Sequence, residues 1–576
     1  MKLLVITLLL CLQPTLYAQL EMRIIVTGKY STFINKKGKN QVQLFENGEF
    51  FNPFNADNEQ YGQYGPFSKK KGTVQFQTFE NGEFLNQFNA GIEYHGQSSR
   101  RHPKKNFDFE IRDQAGEAIK TAIFGMKPGD DFVLNSMAFD GSYIRNALIF
   151  ECWKKMGYWS PDYRYLNLYI NDEFQGLYLI CEKVKVAEDR VNIKQDSLVN
   201  SNYLFKMGRY WDSKKAFFLY QSTSHSYLSG TMISFKSIYP KLKKANKSDF
   251  SILSGKLTDL SQCLAKIHAQ SNLIKSCQDC GIDLQSFIDY FLISELTKNP
   301  DAYIANLYLM IQSRKPTNET QLSIGPQWDY DLAFANTKKP FFQTDTGWSY
   351  IYQSQTPQHD VLYWWNSLSN SNAYKKACAD RLQALGVLFY QPSKSIESIA
   401  DSLTSIVRPY YKQDSVLWNN GTIELPSNLK THETLDKEVS ALLSFFNKRL
   451  KWVHSHINRL PKANEPIHAL LRKSEGNIYP LQENNLNLHY PPNDPKNEFP
   501  GYYSYEIYDT EGKFDKEGIL DYDPLSISFA SYKKGIYFLH IYGNEGYYDD
   551  PDRYLNRPAV SAIDIYEDLY YRFTVE

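Results

Sequence analysis

One stretch, KNPDAYIANLYLMIQSRKPTNETQLSIGPQWDYD at residues 298–331, limits the folds open to this chain more than any other. Ahead of it Leu284, Phe287, Ile288, Phe291 and Leu292 recur at helical spacing behind Asp283, an N-cap residue type, and Pro300 ends the run. Asp301 is therefore presented on a loop. Asn306, five positions on, opens an apolar strand over residues 307–311. The polar turn SRKPTNET follows, then a second strand over residues 322–328 that ends at Asp329. With the turn centred near Thr317, an antiparallel hairpin puts Asn306 and Asp329 side by side at its open end, with Asp301 close by. A period of two would give Asp329 and Asp331 one strand face.

Such an arrangement suits phosphoryl transfer, which needs a loop carboxylate to take a hydroxyl proton and an Asn and an Asp to hold a metal. Hard oxygen ligands of this kind suit Mg²⁺ bridging nucleotide phosphates. The spacing alone is also met by Asp and Asn residues that only cap helices and turn chains. A remoter alternative is a glycoside hydrolase that uses two carboxylates among Asp301, Asp329 and Asp331. A phosphate-binding cation is available upstream, where Lys104 and Lys105 precede the alternating NFDFEIRD. On the strict period Lys105 shares the face of Phe107 and Phe109 and is the better candidate; the plainer reading is a pair of solvated lysines at a strand edge. Glu182, at the end of GLYLICEKV, is placed to pair with such a lysine or to receive the nucleotide. No G-x-G-x-x-G loop, Walker A motif, His-Arg-Asp triplet, G-x-S-x-G or H-E-x-x-H occurs.

The 576 residues carry 64 Lys+Arg against 64 Asp+Glu, and no long basic block stands out, so a dedicated nucleic-acid binder is disfavoured. Aromatic residues reach 15%, which suits large half-buried surfaces with polar tips. MKLLVITLLLCLQPTLYA (1–18) reads as a secretory signal peptide: Lys2, an apolar run too short to span a bilayer, and Ala18 for cleavage. Cys11 follows bulky Leu10, where a lipobox wants a small residue. No later segment is apolar enough for a transmembrane helix. In an exported chain the lone C-x-x-C at Cys277 and Cys280 is better read as a local disulfide than as half a zinc site.

FENGEFFNPFNA at residues 45–56 recurs as FENGEFLNQFNA at residues 79–90, each with an Asn-Gly hairpin signal. Residues 19–90 therefore read as an N-terminal β-region with a duplicated hairpin. Residues 91–461 read as α+β. An alternating strand comes first, then a helix through Ile144, Leu148, Ile149, Cys152 and Met156 that stops at Gly157. A hairpin turning at Asn171-Asp172 follows, and then a helix-rich half that closes with the stripe Leu435, Val439, Leu442, Phe446, Leu450, Val453 and Ile457. Residues 462–576, rich in Asn, Pro, Tyr and Asp, read as a small all-β sandwich.

GIEYHGQSSRRHPKKNFDFEI, KPGDDFVLNSMAFDGSYIRNALI, LNLYINDEFQGLYLICEKV, DLQSFIDYFLISELTKNPDAYIANLYLM and GPQWDYDLAFAN, taken together and in order, resemble the CotH family of secreted kinases. The resemblance implies an atypical protein-kinase-like, two-lobed α+β domain that transfers phosphate from ATP to Ser or Thr hydroxyls of a protein acceptor. It implies Asp301 as catalytic residue, Asn306 and Asp329 as ligands of Mg²⁺ or Mn²⁺ with Asp331 in support, and Lys104 or Lys105 as the phosphate lysine. Asp140 and Arg145 also fall on recurrent family positions, with a structural part implied. His95, Gln97 and Ala335 depart from the pattern, but no metal-binding carboxylate is lost. The tail, YEIYDTEGK followed by LSISFASYKKGIYFLHIY, is similar to type IX secretion sorting domains, implying a partner in the secretion machinery. The insertion YYDDPDRYLNRPAV is unusual for such a domain. A catalytically silent cell-surface binding protein is the competing expectation.

Overall fold

The structure, a computed structural model, describes residues 18–25, 72–96, 104–193, 202–208, 216–221, 231–240, 247–266, 273–314, 319–337, 339–355, 364–386, 395–418 and 434–460, with short strands before and after them. Residues 1–17 of the expected leader at residues 1–18, Gln97 and the insertion at residues 547–560 lie outside the described residues. The chain is α+β, as its periodicities imply.

Seven strands close into a barrel in the order Leu20–Ile25, Tyr163–Ile170, Glu173–Glu182, Asp131–Asn135, Asn106–Arg112, Glu83–His95 and Gly72–Glu80. All neighbours are antiparallel except Leu20–Ile25 against Tyr163–Ile170. Phe107, Phe109 and Ile111 share the inward face, and the rings of Phe76, Phe88, Phe109 and Phe132 stack through the interior with centroids 4.6 to 5.5 Å apart. The boundary expected between residues 90 and 91 falls inside the continuous strand Glu83–His95. Both sequence copies form hairpins in one register, Phe45 opposite Phe50 and Phe79 opposite Phe84. Asn171 and Asp172 both take left-handed backbone, φ 45° and 65°, the conformation that a two-residue turn between right-twisted strands requires.

The helix Arg145–Lys155 packs Ile144, Leu148, Ile149, Cys152 and Met156 into the main core and stops before Gly157. The second sheet runs Ala216–Gln221, Thr231–Tyr239, Tyr203–Gly208, Tyr308–Arg314 and Glu319–Ile324. The helix Leu284–Thr297 feeds this sheet. Asp283 holds its N-cap position without a side-chain capping bond, and Lys298 ends it in left-handed backbone at φ 45°. The helix Leu435–His456 buries the expected stripe. Cys280 pairs with Cys263 rather than with Cys277, which is buried in the core as a free thiol. Cys277 lies on the helix Leu273–Asp279 and faces inward, whereas Cys280 follows the helix end, so the two do not meet. Beyond residue 461 every described element is a strand: a five-stranded sheet includes Tyr503–Asp509 and Gly535–Gly543, and Asn485–Leu488 pairs with Leu525–Ser528. Among the described residues no helix is long and apolar enough to cross a membrane.

A buried ion pair ties the barrel to the helix Ile396–Trp418. Lys104 Nζ lies 2.7 Å from Asp414 Oδ1, with both side chains almost wholly buried. The same carboxylate accepts from Leu177 N at 2.6 Å and from Tyr143 OH at 2.7 Å. Gly176 is required here, because its φ is +106° and a Cβ would come within 2.2 Å of Asp414 Oδ1. Removing one partner of such a pair leaves a buried charge uncompensated, so Asp414→Ala is expected to cost about 3 kcal/mol or more. Chemical denaturation of the variant checks this, and a midpoint equal to wild type would show that the pair carries no structural weight.

Candidate active site

The expected juxtaposition is present. In the hairpin Leu309 pairs with Ile324 and Arg314 with Glu319, so the turn centre falls close to the expected position. At the open end Asn306 Nδ2 donates to Asp329 Oδ2 at 2.8 Å and to Asp301 Oδ2 at 3.3 Å. One amide therefore bridges two carboxylates. Asn299 adds a second link, accepting from Asp301 N at 3.0 Å and donating to the Asp329 carbonyl at 3.1 Å. Tyr303, Asn306 and Asp329 all hold left-handed backbone, with φ of 70°, 56° and 67°. Such strain persists only where the surroundings over-determine it. Those surroundings are visible: Tyr303 N donates to Tyr290 OH at 3.0 Å, Tyr303 OH to Glu295 at 3.0 Å, and Gln353 to the Pro300 carbonyl at 2.7 Å.

Asp331 reaches the site differently from the expectation. The second strand ends at Ile324, and residues 325–336 form a loop, so no strand face joins Asp329 to Asp331. Instead Asn146, on the Arg145–Lys155 helix, donates to Asp331 and accepts from Tyr330 N at 2.7 Å. Arg145 pairs with Asp140 and donates to the Ala333 carbonyl at 3.1 Å, binding that helix to the carboxylate loop, in keeping with a structural part for both residues.

Lys104 and Glu182 are engaged by other partners, and the strand phase expected for Lys105 does not apply. Lys104 is held by Asp414, and the strand starts at Asn106, so the period of two does not reach Lys105, which is half-buried with its carbonyl accepting from Tyr178 OH at 2.9 Å. Glu182 lies 3.0 Å from Arg190 and accepts from Asp162 N at 3.0 Å, anchoring a turn after the barrel strand. The cations near the carboxylates are others. Lys206, on Tyr203–Gly208, stands opposite Tyr308 in the strand pairing, two residues from Asn306. His95 and Lys183 converge on Asp108, at 3.0 and 3.1 Å. The missed signal was a lysine inside the apolar run YLFKM, where a cation in a strand flanked on both sides is uncommon.

Burial pushes the Asp329 carboxyl above the ordinary aspartate range, neighbouring Asp301 adds to the rise, and Lys206, His95 and the Asn306 amide oppose it. Asp331 is pushed up further, by burial and then by Asp329 and Asp140. Burial pulls the Lys206 ammonium down to about 8, with Lys236 adding to the fall and Asp329, Asp301 and Asp108 resisting it. Burial works against the Asp108 anion too, yet His95 and Lys183 hold its carboxyl below the usual range. The electrostatic demand at Asp329 and Asp331 is thus for positive charge. Among the described residues no group of three or more His, Cys, Asp or Glu converges as a metal cage. The donors fit Mg²⁺ or Mn²⁺ in its usual sharing arrangement, with one or two carboxylates and an amide oxygen from the protein and the remainder from phosphates and water.

A loop carboxylate, an Asn–Asp clasp at a hairpin mouth and a nearby lysine are compatible with a kinase-like protein. The chain belongs to the family described as CotH kinase protein, which it matches over residues 92–453. No curated protein matches it.

With metal absent, a raised Asp329 favours the native state below about pH 4, where the carboxyl is protonated in both states. That advantage is lost as pH rises toward the folded-state value. Asp329→Asn is therefore expected to raise the unfolding temperature in chelator at pH 7, by about 2 °C or more, with the gap closing toward pH 4. A lower unfolding temperature across that range would contradict the electrostatic reading.

Proposed function

We propose that this chain is an exported ATP-dependent kinase that transfers the γ-phosphate to Ser or Thr hydroxyls of a protein acceptor. The observation that carries the reading is the Asn306 amide shared between Asp301 and Asp329, at 3.3 and 2.8 Å. It holds one carboxylate for the acceptor and one for the metal at fixed separation. Export is supported by the leader at residues 1–18 and by the Cys263–Cys280 disulfide, a bond typical of oxidising compartments.

Asp301 accepts the acceptor hydroxyl proton as its oxygen bonds to the γ-phosphorus and the bond to the β-phosphate oxygen breaks, releasing ADP. Asp329 and the Asn306 side-chain oxygen would hold the divalent ion. Asp331, positioned by Asn146, supports that role. A bound Mg²⁺ or Mn²⁺ supplies neutralisation of the charge on the β- and γ-phosphates. Loop strain at Asn306 and Asp329 orients the donors before nucleotide arrives, so less ordering is required on binding.

Radiolabelled ATP with a Ser-rich acceptor tests the assignment. Asp301→Ala is expected to lower transfer by about 10²-fold or more while leaving Mg·ATP affinity within about threefold. Asp329→Ala is expected to lose both transfer and Mg·ATP binding. Wild-type transfer by both variants would overturn the site.

A further inference from the structure

Phosphoryl transfer needs a cation facing the terminal phosphates, and Lys104 does not supply one. Lys104 is committed: its ammonium meets Asp414 at 2.7 Å and lies over the rings of Tyr143 and Tyr178 at 5.6 and 5.3 Å. Lys206 is in the opposite condition. It sits on a strand flanked by Thr231–Tyr239 and Tyr308–Arg314, and its ammonium forms no hydrogen bond or ion pair among the described residues. Its ammonium instead stands 5.3 Å from the Tyr308 ring centroid. The carboxylates whose charge it feels are Asp329, Asp301 and Asp108, none of them in direct contact. A lysine placed among carboxylates, yet paired with none, keeps its donors for a ligand. An anion bound through a divalent ion on Asp329 would fill that need.

The neighbouring charges extend the surface. Asp108 Oδ2 holds both His95 and Lys183, which keep 27% and 35% of their side-chain surface exposed. Asp108 is also one of the charges acting on Lys206, so these cations belong to one electrostatic group.

We propose that Lys206, flanked by Lys183 and His95 gathered on Asp108, receives the terminal phosphates of a nucleoside triphosphate beside Asp329, and that Lys104 is a structural cation with no nucleotide contact. The assignment rests on the kinase reading and adds the polyphosphate side of that site. Lys206 is a short point-charge donor whose strand position opposite Tyr308 sets its distance from Asn306. Lys183 and His95 are accessible and meet the outer phosphate oxygens.

The full chain is titrated with Mg·ATP and with AMP by calorimetry, for wild type, Lys206→Met and Lys104→Met. Lys206→Met is expected to weaken Mg·ATP about tenfold or more and AMP less than about twofold. Lys104→Met is expected to unfold at lower temperature yet to bind Mg·ATP as wild type does. Unchanged Mg·ATP affinity in Lys206→Met, or a phosphate-dependent loss in Lys104→Met instead, overturns the assignment while leaving the kinase reading in place. Failure of wild type to bind Mg·ATP overturns both. A second measurement needs no variant. An acyl-phosphate derivative of ATP, whose carbonyl is attacked by a nearby lysine amine with release of ATP, is applied to wild type and the adduct located by mass spectrometry. Label on Lys206 that excess ATP suppresses supports the proposal; label on Lys104 without label on Lys206 contradicts it.

Discussion

A single side-chain amide, that of Asn306, spans Asp301 and Asp329, and much of the surrounding architecture serves to keep those two carboxylates together. Like charges at this range repel, and removal from water raises the cost of ionising Asp329. The amide offsets part of that cost. Lys206 and, when protonated, His95 offset a further part, and the carboxyl still stays above its ordinary range. The unmet electrostatic demand of the site is for positive charge. The proposed metal–nucleotide complex would bring that charge together with anions for Lys206.

What holds the amide in place lies deeper. Glu295, near the end of the Leu284–Thr297 helix, is wholly buried and 3.0 Å from Arg449 on the Leu435–His456 helix. Its carboxylate also accepts from Ser349 N at 2.8 Å, Tyr350 N at 2.9 Å and Tyr303 OH at 3.0 Å. Arg449 donates further to the carbonyls of Glu295, Asp345 and Gly347. Such a network adds little net stability over apolar packing, but breaking one member is costly, and its value lies in fixing geometry. Through Tyr303 it sets the turn that carries Asp301. Helix, turn and hairpin thus form one continuous support, with the Arg145–Lys155 helix bracing the far side through Asn146 and Asp331.

Local patterns were legible in the sequence, and long-range pairings were not. The order Asp301, Asn306, hairpin, Asp329 could be read because hairpin register follows from turn position, which is a local property. The stripes of the Leu284–Thr297 and Leu435–His456 helices and the Asn171-Asp172 turn are local in the same sense. Lys104 was misjudged because its partner, Asp414, is brought in by a helix far along the chain. Strand periodicity says nothing of Lys105, because the strand's first residue is Asn106. Lys206 carries no motif at all, and its place beside Asn306 comes from pairing two strands separated by a helical excursion. Asp331 joins the site through a loop and Asn146 rather than through a strand face. Cys280 found Cys263 because helix geometry turns Cys277 inward.

The Asn306–Asp329 clasp, with Asp301 beside it, is the proposed metal–nucleotide site. A crystal structure of the full chain with Mn²⁺ and a non-hydrolysable ATP analogue, with anomalous data for manganese, addresses it directly. A metal–nucleotide site there requires an anomalous peak about 2.2 Å from the Asp329 carboxylate, beside the analogue's phosphates, with Asp301 left open toward the acceptor side. Manganese and nucleotide bound elsewhere, or a bound analogue whose phosphates lie away from Asp329, would contradict it.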